Sequence, residues 1–267
     1  DPDSPVIIDS LPLDYSILDE IDYSYPSHDA YFAYTTRGCI RHCDFCAVPI
    51  LEPGYTSFTG IHEQIRFIDE HFGQRKDLLL MDNNVLASPR FDDIIDEIKR
   101  CGFSKGASYL PPDEYDIAVK NLRGGFNVRA CIRKILRLYD KLAARLPDKE
   151  AGEFYVLRES HGLRAPESAA PEAVLGADEF FRPLHAKYFR PVKRARYVDF
   201  NQGIDARLIT DANMSRLAEI NIRPLRIAFD HIEQKDIYVQ AVKTAARWGI
   251  TDLSNYLLYN FHDKPEH

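Results

Sequence analysis

Three of the chain's five cysteines stand in one short stretch, RGCIRHCDFCAVP at residues 37–49, where Cys39, Cys43 and Cys46 form C-x3-C-x2-C. Thiolates are soft ligands that select zinc or iron–sulfur clusters. Structural zinc takes four ligands, commonly from two C-x2-4-C pairs, and the sequence offers no second pair; His42, in the same loop, is the candidate fourth ligand. Cys101 and Cys131 fall in segments with helical patterning, poorly placed to complete a site. Three buried structural cysteines are the plain alternative. A four-iron cluster held by only three thiolates leaves one iron open to a substrate or cofactor, whereas a cluster that only carries electrons is held by four.

The elements that must position this loop follow from periodicity. AYFAYTT, from Ala30, is aromatic and β-branched and reads as a buried strand running straight into the cysteines. TGIHEQIRFIDEHFG then places Ile61, Ile65, Ile68 and Phe72 on one helical face, with Thr59 as the expected cap and Gly73 as the stop. KDLLLMDNN reads as a strand buried on both sides. SPRFDDIIDEIKRCG reads as a helix with Ser88 at its start, Gly102 at its end, and Phe91, Ile94, Ile95 and Ile98 buried. The alternation resumes with RYVDFNQGI, DANMSRLAEIN, PLRIAFD, DIYVQAVKTAARWG and LSNYLLYNF, strand and helix in turn. Such a series forms a parallel sheet that places ligands at the carboxyl ends of its strands.

An interruption of roughly eighty residues separates the two halves, far beyond the usual βα connection of about 2–6 residues. Within it NVRACIRKILRLYDKLAARL is an amphipathic helix with Ile132, Ile135, Leu136, Tyr139 and Leu142 inward, and the remainder reads as a loosely ordered arm without a sustained period. The expected division is an N-terminal connector at 1–30, rich in proline (Pro2, Pro5, Pro12, Pro26) around an apolar VIID, then a split α/β domain at 31–104 and 191–267, and an inserted helical module or lid at 105–190.

The totals set the boundaries. At 267 residues, 45% hydrophobic and 28% charged, the chain can bury a full core. A net charge of −7 gives no general attraction to nucleic-acid phosphates. Five cysteines, an odd number in a chain too long to need staples, point to reduced thiols and a cytoplasmic protein. No apolar run reaches the ~18 residues of a membrane span, and no signal peptide is legible. The chain reads as a piece of a longer one.

With Phe45 just before the last cysteine, the loop resembles the signature of the radical S-adenosylmethionine (radical SAM) enzymes, C-x3-C-x-aromatic-C after the first strand of a barrel. Ala47, Val48 and Pro49 extend the likeness to the methylthiotransferases and to the branch with a cobalamin-binding-type domain ahead of the barrel. The resemblance implies a partial (β/α)6 TIM-like barrel and a [4Fe-4S] cluster on Cys39, Cys43 and Cys46. It also implies S-adenosylmethionine bound at the open iron, and reductive cleavage to a 5′-deoxyadenosyl radical that takes hydrogen from an unidentified substrate. It further implies an electron donor such as flavodoxin or ferredoxin, and cobalamin only through a further N-terminal domain. A tRNA methylthiotransferase-like enzyme, with a second cluster and an RNA-binding domain, and a non-catalytic zinc-stabilised binding module are the alternatives.

The resemblance also implies cofactor contacts. Phe45 takes the place of the residue beside the adenine, and Asp82 and Asn83, in MDNN, occupy the place of a Gly-Gly-Glu-like stretch that receives the methionine amino group; plain turn chemistry after the strand is the other reading. In DFNQGIDARL the polar residues Asn201, Gln202, Asp205 and Arg207 form a mouth-lining set for the ribose or carboxylate of the cofactor, with Arg207 suited to a carboxylate; an internal Asp–Arg ion pair is the alternative. Arg226, Asp230, Asn255 and Asn260 are further candidates for the interior. The basic run RPVKRAR (Arg190, Lys193, Arg194, Arg196) is either a contact for a phosphate-bearing substrate such as RNA or a solvated charge run.

Overall fold

The computed structural model describes residues 11–21, 23 and 25–258. Pro2, Pro5, the VIID run and Asn260 lie outside them. In chain order the first elements are α1 (Ile17–Glu20), β1 (Ala30–Ala33), α2 (Val48–Leu51), α3 (His62–Phe72), β2 (Asp77–Leu80), α4 (Phe91–Arg100), β3 (Ser108–Tyr109), α5 (Glu114–Arg123) and α6 (Val128–Ala143). Then come α7 (Asp148–Ser160), α8 (Pro171–Gly176), α9 (Asp178–Tyr188), β4 (Arg194–Ala195), β5 (Val198–Phe200), β6 (Ile204–Asp205), α10 (Asp211–Leu217), β7 (Leu225–Phe229), α11 (Lys235–Arg247) and β8 (Leu253–Leu257).

The described residues divide into two compact units: a strand unit of residues 29–65, 75–109 and 194–258, and a helical unit of the described residues between 11 and 28, with 66–74 and 110–193. The helical unit thus holds most of the expected insertion at 105–190, leaves 105–109 with β3 to the strand unit, and adds residues from outside it. The described part of the expected connector belongs to it, with Tyr15 packed on Phe72 at 5.9 Å between ring centres and Arg133 donating to the Glu20 carbonyl.

In the strand unit β1, β2 and β5 form one parallel sheet, in that order, and β6, β7 and β8 a second. A lone parallel bridge from Val198 to Ile222 joins β5 to the residues leading into β7. β3 and β4 make a short antiparallel pair, and the described strands do not close into a barrel. The architecture is therefore mixed α/β with parallel strand order. The expected stripe of α4 is buried as read: Phe91, Ile94, Ile95 and Ile98 are each less than a tenth exposed. β2 differs from expectation, burying Leu78 and Leu80 while Asp77 and Leu79 stay half-covered, so it alternates instead of being buried on both sides.

α3 carries its expected apolar residues inward, but Thr59 is not its cap. Glu97, reaching across from α4, accepts the Ile61 and His62 backbone N–H groups at 2.9 Å, which satisfies the orphan donors of a helix start from a distance. Thr59 N–H is used instead on the Thr35 carbonyl. Gly73, at φ +79°, ends the helix where a Cβ would strike Ile117 and Pro112.

The helical unit packs α5 to α9 around Tyr115, Ile135, Tyr139, Phe154 and Phe181. The stretch read as a loosely ordered arm is in fact α7, α8 and α9. Periodicity missed α7 because it buries only Phe154 and Arg158 while Tyr155 and Val156 face out. No helix among the described residues is long and apolar enough to cross a membrane.

Candidate functional site

The carboxyl ends of the parallel strands converge on one cavity of about 390 Å³ in the strand unit, inside the range of about 300–1,000 Å³ typical of small-molecule sites. β1 delivers the cysteine loop, β2 Asn83 and Asn84, β5 Asn201 and Gln202, β6 Asp205 and then Arg207, β7 Asp230, and β8 Tyr256. Cys39, Cys43, Cys46 and Phe45 all reach its wall. The three cysteines are free thiols and half-buried. Burial pushes the Cys43 thiol up, opposed by Arg207 and reinforced by Asp230, Cys39 and Cys46. Among the described residues no group of three or more His, Cys, Asp or Glu side chains is arranged to hold a single metal ion, and His42 is exposed, off the cavity wall.

The loop is fixed at its entry. Gly38 has φ +73°, and a Cβ there would lie 2.1 Å from the Gly54 carbonyl oxygen, so only glycine lets the two segments pass. Arg37 and Thr56 exchange backbone hydrogen bonds beside it. Glu52 then ties three pieces together: it accepts from Gly38 N–H at 2.8 Å and from Asn83 Nδ2 at 3.1 Å, and pairs with Arg37 at 2.7 Å. Cys39 Sγ accepts two N–H groups, from the Arg41 backbone at 3.3 Å and from Asn84 Nδ2 at 3.6 Å.

Asp82 is not on the cavity wall. It is fully buried, and its Oδ1 accepts the backbone N–H and the hydroxyl of both Thr35 and Thr36, the residues that lead from β1 towards the cysteines. Burial pushes its carboxyl up to about 6 against the pull of those hydrogen bonds, and Oδ2 has no partner. The position expected to receive an amino group is thus a bracket behind the loop. Asn83 and Asn84 occupy the wall in its place.

Arg207 turns its fork on Asp205, Nε to Oδ1 at 2.6 Å and Nη2 to Oδ2 at 2.9 Å, and Arg41 Nε meets Oδ2 from the other side at 3.1 Å. The internal ion pair is therefore what forms, and the Arg207 fork is already engaged. Burial raises the Asp205 carboxyl, but the hydrogen bonds from Arg207 outweigh it and hold the group below its usual range. Asp230 has no hydrogen-bond partner among the described residues, and burial raises its carboxyl against the opposing Arg207 and His231.

Of the remaining candidates, Arg226 forms a two-pronged pair with Asp199 at 2.7 and 2.8 Å and is absent from the wall. Asn255 is also off the wall; β8 presents Tyr256 there, one register step away, with its hydroxyl donating to the Asn201 carbonyl at 2.6 Å. In RPVKRAR, Lys193 and Arg194 are exposed, as is Arg190, which donates to the end of α9. Arg196 is buried, its guanidinium 3.9 Å from the Phe103 ring centre and donating to the Arg75 and Lys76 carbonyls, so it belongs to the core of the strand unit. Sequence reasoning missed Arg41, Glu52, Gln234 and Tyr256. Arg41 alone carried a signal, as a charge inside the cysteine loop.

Comparison with protein-family models, with curated proteins and with solved structures found no match to this chain.

Proposed function

We propose that the chain is a radical SAM enzyme whose strand unit forms the wall of an incomplete (β/α) barrel. The observation that carries this reading is a single cavity at the carboxyl ends of the parallel strands, with all three cysteines of C-x3-C-x2-C, Phe45 and a ring of amides on its wall. The donor set fits a cluster better than one ion: three soft thiolates each bind a separate iron of a cube and have no need to converge on a point. Cys39, Cys43 and Cys46 would hold a [4Fe-4S] cluster which, with S-adenosylmethionine at its open iron, supplies reductive cleavage of the sulfonium to a 5′-deoxyadenosyl radical for hydrogen abstraction.

The chain's own residues do the rest. Phe45 offers an apolar ring face at the wall on which an adenine can stack. Asn201 and Gln202 present amide donors and acceptors suited to ribose hydroxyls. With the Arg207 fork committed to Asp205, a cofactor carboxylate would be received by neutral donors. Glu52 and Asp82 hold the loop segments in register and so preorganise the thiols. Reducing equivalents would come from a low-potential partner such as flavodoxin or ferredoxin, and the substrate is left unassigned.

The test is anaerobic reconstitution with iron and sulfide, followed by reduction in the presence of S-adenosylmethionine. A brown protein that releases 5′-deoxyadenosine and methionine, with both iron and cleavage lost in Cys43→Ala, is the expected result. Zinc near one equivalent without iron would replace the enzyme by a metal-stabilised binding module.

A further inference from the structure

We infer that Asn84 is a positioning residue that holds the Cys39 sulfur and raises the reduction potential of an iron–sulfur cluster bound by the loop. The inference rests on the cluster reading above and adds an assignment which the loop motif does not contain.

Two N–H groups point at the sulfur of Cys39, from the Arg41 backbone and the Asn84 amide. Among the described residues, the sulfurs of Cys43 and Cys46 accept no hydrogen bond, so the donors are concentrated on one of the three thiols. The backbone donor comes with the loop's own turn. The Asn84 donor comes from a separate strand end and is held there by design of the surroundings: Tyr55 donates its hydroxyl to the Asn84 carbonyl at 2.9 Å, and Val85 and Leu86, which follow, are buried.

The orientation of the amide is informative. Asn84 is only 3% exposed, and with Nδ2 towards the sulfur its Oδ1 is buried without any partner. Leaving a buried carbonyl oxygen unsatisfied is unfavourable. A thiolate has no proton to give and can only accept, so the end of the amide that faces Cys39 is the end a metal-bound sulfur requires. One-electron reduction adds negative charge to the cluster and its thiolates. An N–H dipole aimed at a ligating sulfur stabilises the more negative state more strongly, and hydrogen bonds to the sulfurs are among the factors that set such potentials.

The experiment is a redox titration of the reconstituted protein with dithionite, followed by electron paramagnetic resonance, without S-adenosylmethionine, alongside iron content and circular dichroism. Asn84→Leu should move the midpoint to a more negative value, lowering the reduced-to-oxidised ratio at a fixed potential roughly three- to tenfold, tenfold being 59 mV for a one-electron couple. Asn84→Asp, close to isosteric but with a carboxylate in place of the donor, should move it further in the same direction. Tyr55→Phe, which frees the Asn84 carbonyl, should give a smaller shift of the same sign. Gln202→Leu, which removes an amide on the wall that makes no sulfur contact, should leave the midpoint in place. Should Asn84→Leu fail to fold, Asn84→Asp and Tyr55→Phe still decide the matter. Asn84 variants that titrate with the wild type, or a Gln202→Leu shift of equal size, would overturn the inference while leaving the cluster reading intact. A wild-type protein that takes up no cluster would remove both.

Discussion

In the helical unit, both oxygens of buried Asp178 are used: Tyr115 and Arg182 donate to Oδ1, Arg123 and Arg182 to Oδ2, at 2.8–3.2 Å. Tyr139 completes the chain through the Tyr115 hydroxyl, and buried Arg158 donates to Asp140 and to the Leu163 carbonyl. In the strand unit, by contrast, Asp82 Oδ2 and Asn84 Oδ1 are buried without partners, while no such side-chain atom occurs among the described residues of the helical unit. Buried polar groups cost stability unless paired. A complete network is therefore what a scaffold requires, and unmet groups beside the cysteine loop are what a site tolerates.

The largest effect expected from this contrast is a pH dependence centred on Asp82. Its folded carboxyl, near 6, lies above the unfolded value of about 3.9, so the folded state keeps a proton that the unfolded state releases. The stability contributed by this group is complete below about pH 4 and is lost as the pH rises through 6, roughly 3 kcal/mol in all. Asp82→Asn carries no such titration. Urea unfolding from pH 4 to 7 should show the wild type losing stability relative to the variant over that window; parallel curves would mean that Asp82 is not strained in the fold.

Next in size is Asp178→Ala, which strips the helical network of its centre. Because Arg123 and Arg182 are partly solvated, the loss is held to about 2–3 kcal/mol, mostly from the buried Tyr115 hydroxyl and the space vacated. Chemical denaturation measures it. A change below about 0.5 kcal/mol, the level of an ordinary surface substitution, would erase the distinction between the two units. Smallest is Tyr256→Phe, which removes the hydroxyl that holds the Asn201 carbonyl. Its expected cost of about 1 kcal/mol would be accompanied by a local rise in amide exchange around residues 201–203, and unchanged exchange there would show that the tyrosine is not a clamp.

Much of this arrangement was legible because it is local. The cysteine loop after β1, the stripes of α4 and α6, and the polar character of the residues after β5 each depend on neighbours a few positions away, and spacing reports them. The remainder depends on long-range partners. Glu97 as the cap of α3, Asp82 beneath Thr35 and Thr36, and Arg41 against Asp205 are pairings across tens of residues or more, which no periodicity encodes. The choice of Tyr256 over Asn255 turns on a single step of strand register, which flips every side chain. The helices at 148–188 were not legible because each buries only one or two residues, too few to mark an apolar stripe.

Asp205 sits between Arg41 and Arg207, and with Asp230 the cavity wall carries two charges of each sign. Apart from the thiols, these four charges cancel, so they neither draw in nor repel an ion from a distance, and capture there depends on short-range fit. At longer range the chain's net charge of −7 favours cations, an effect that fades over about 10 Å at 0.1 M salt.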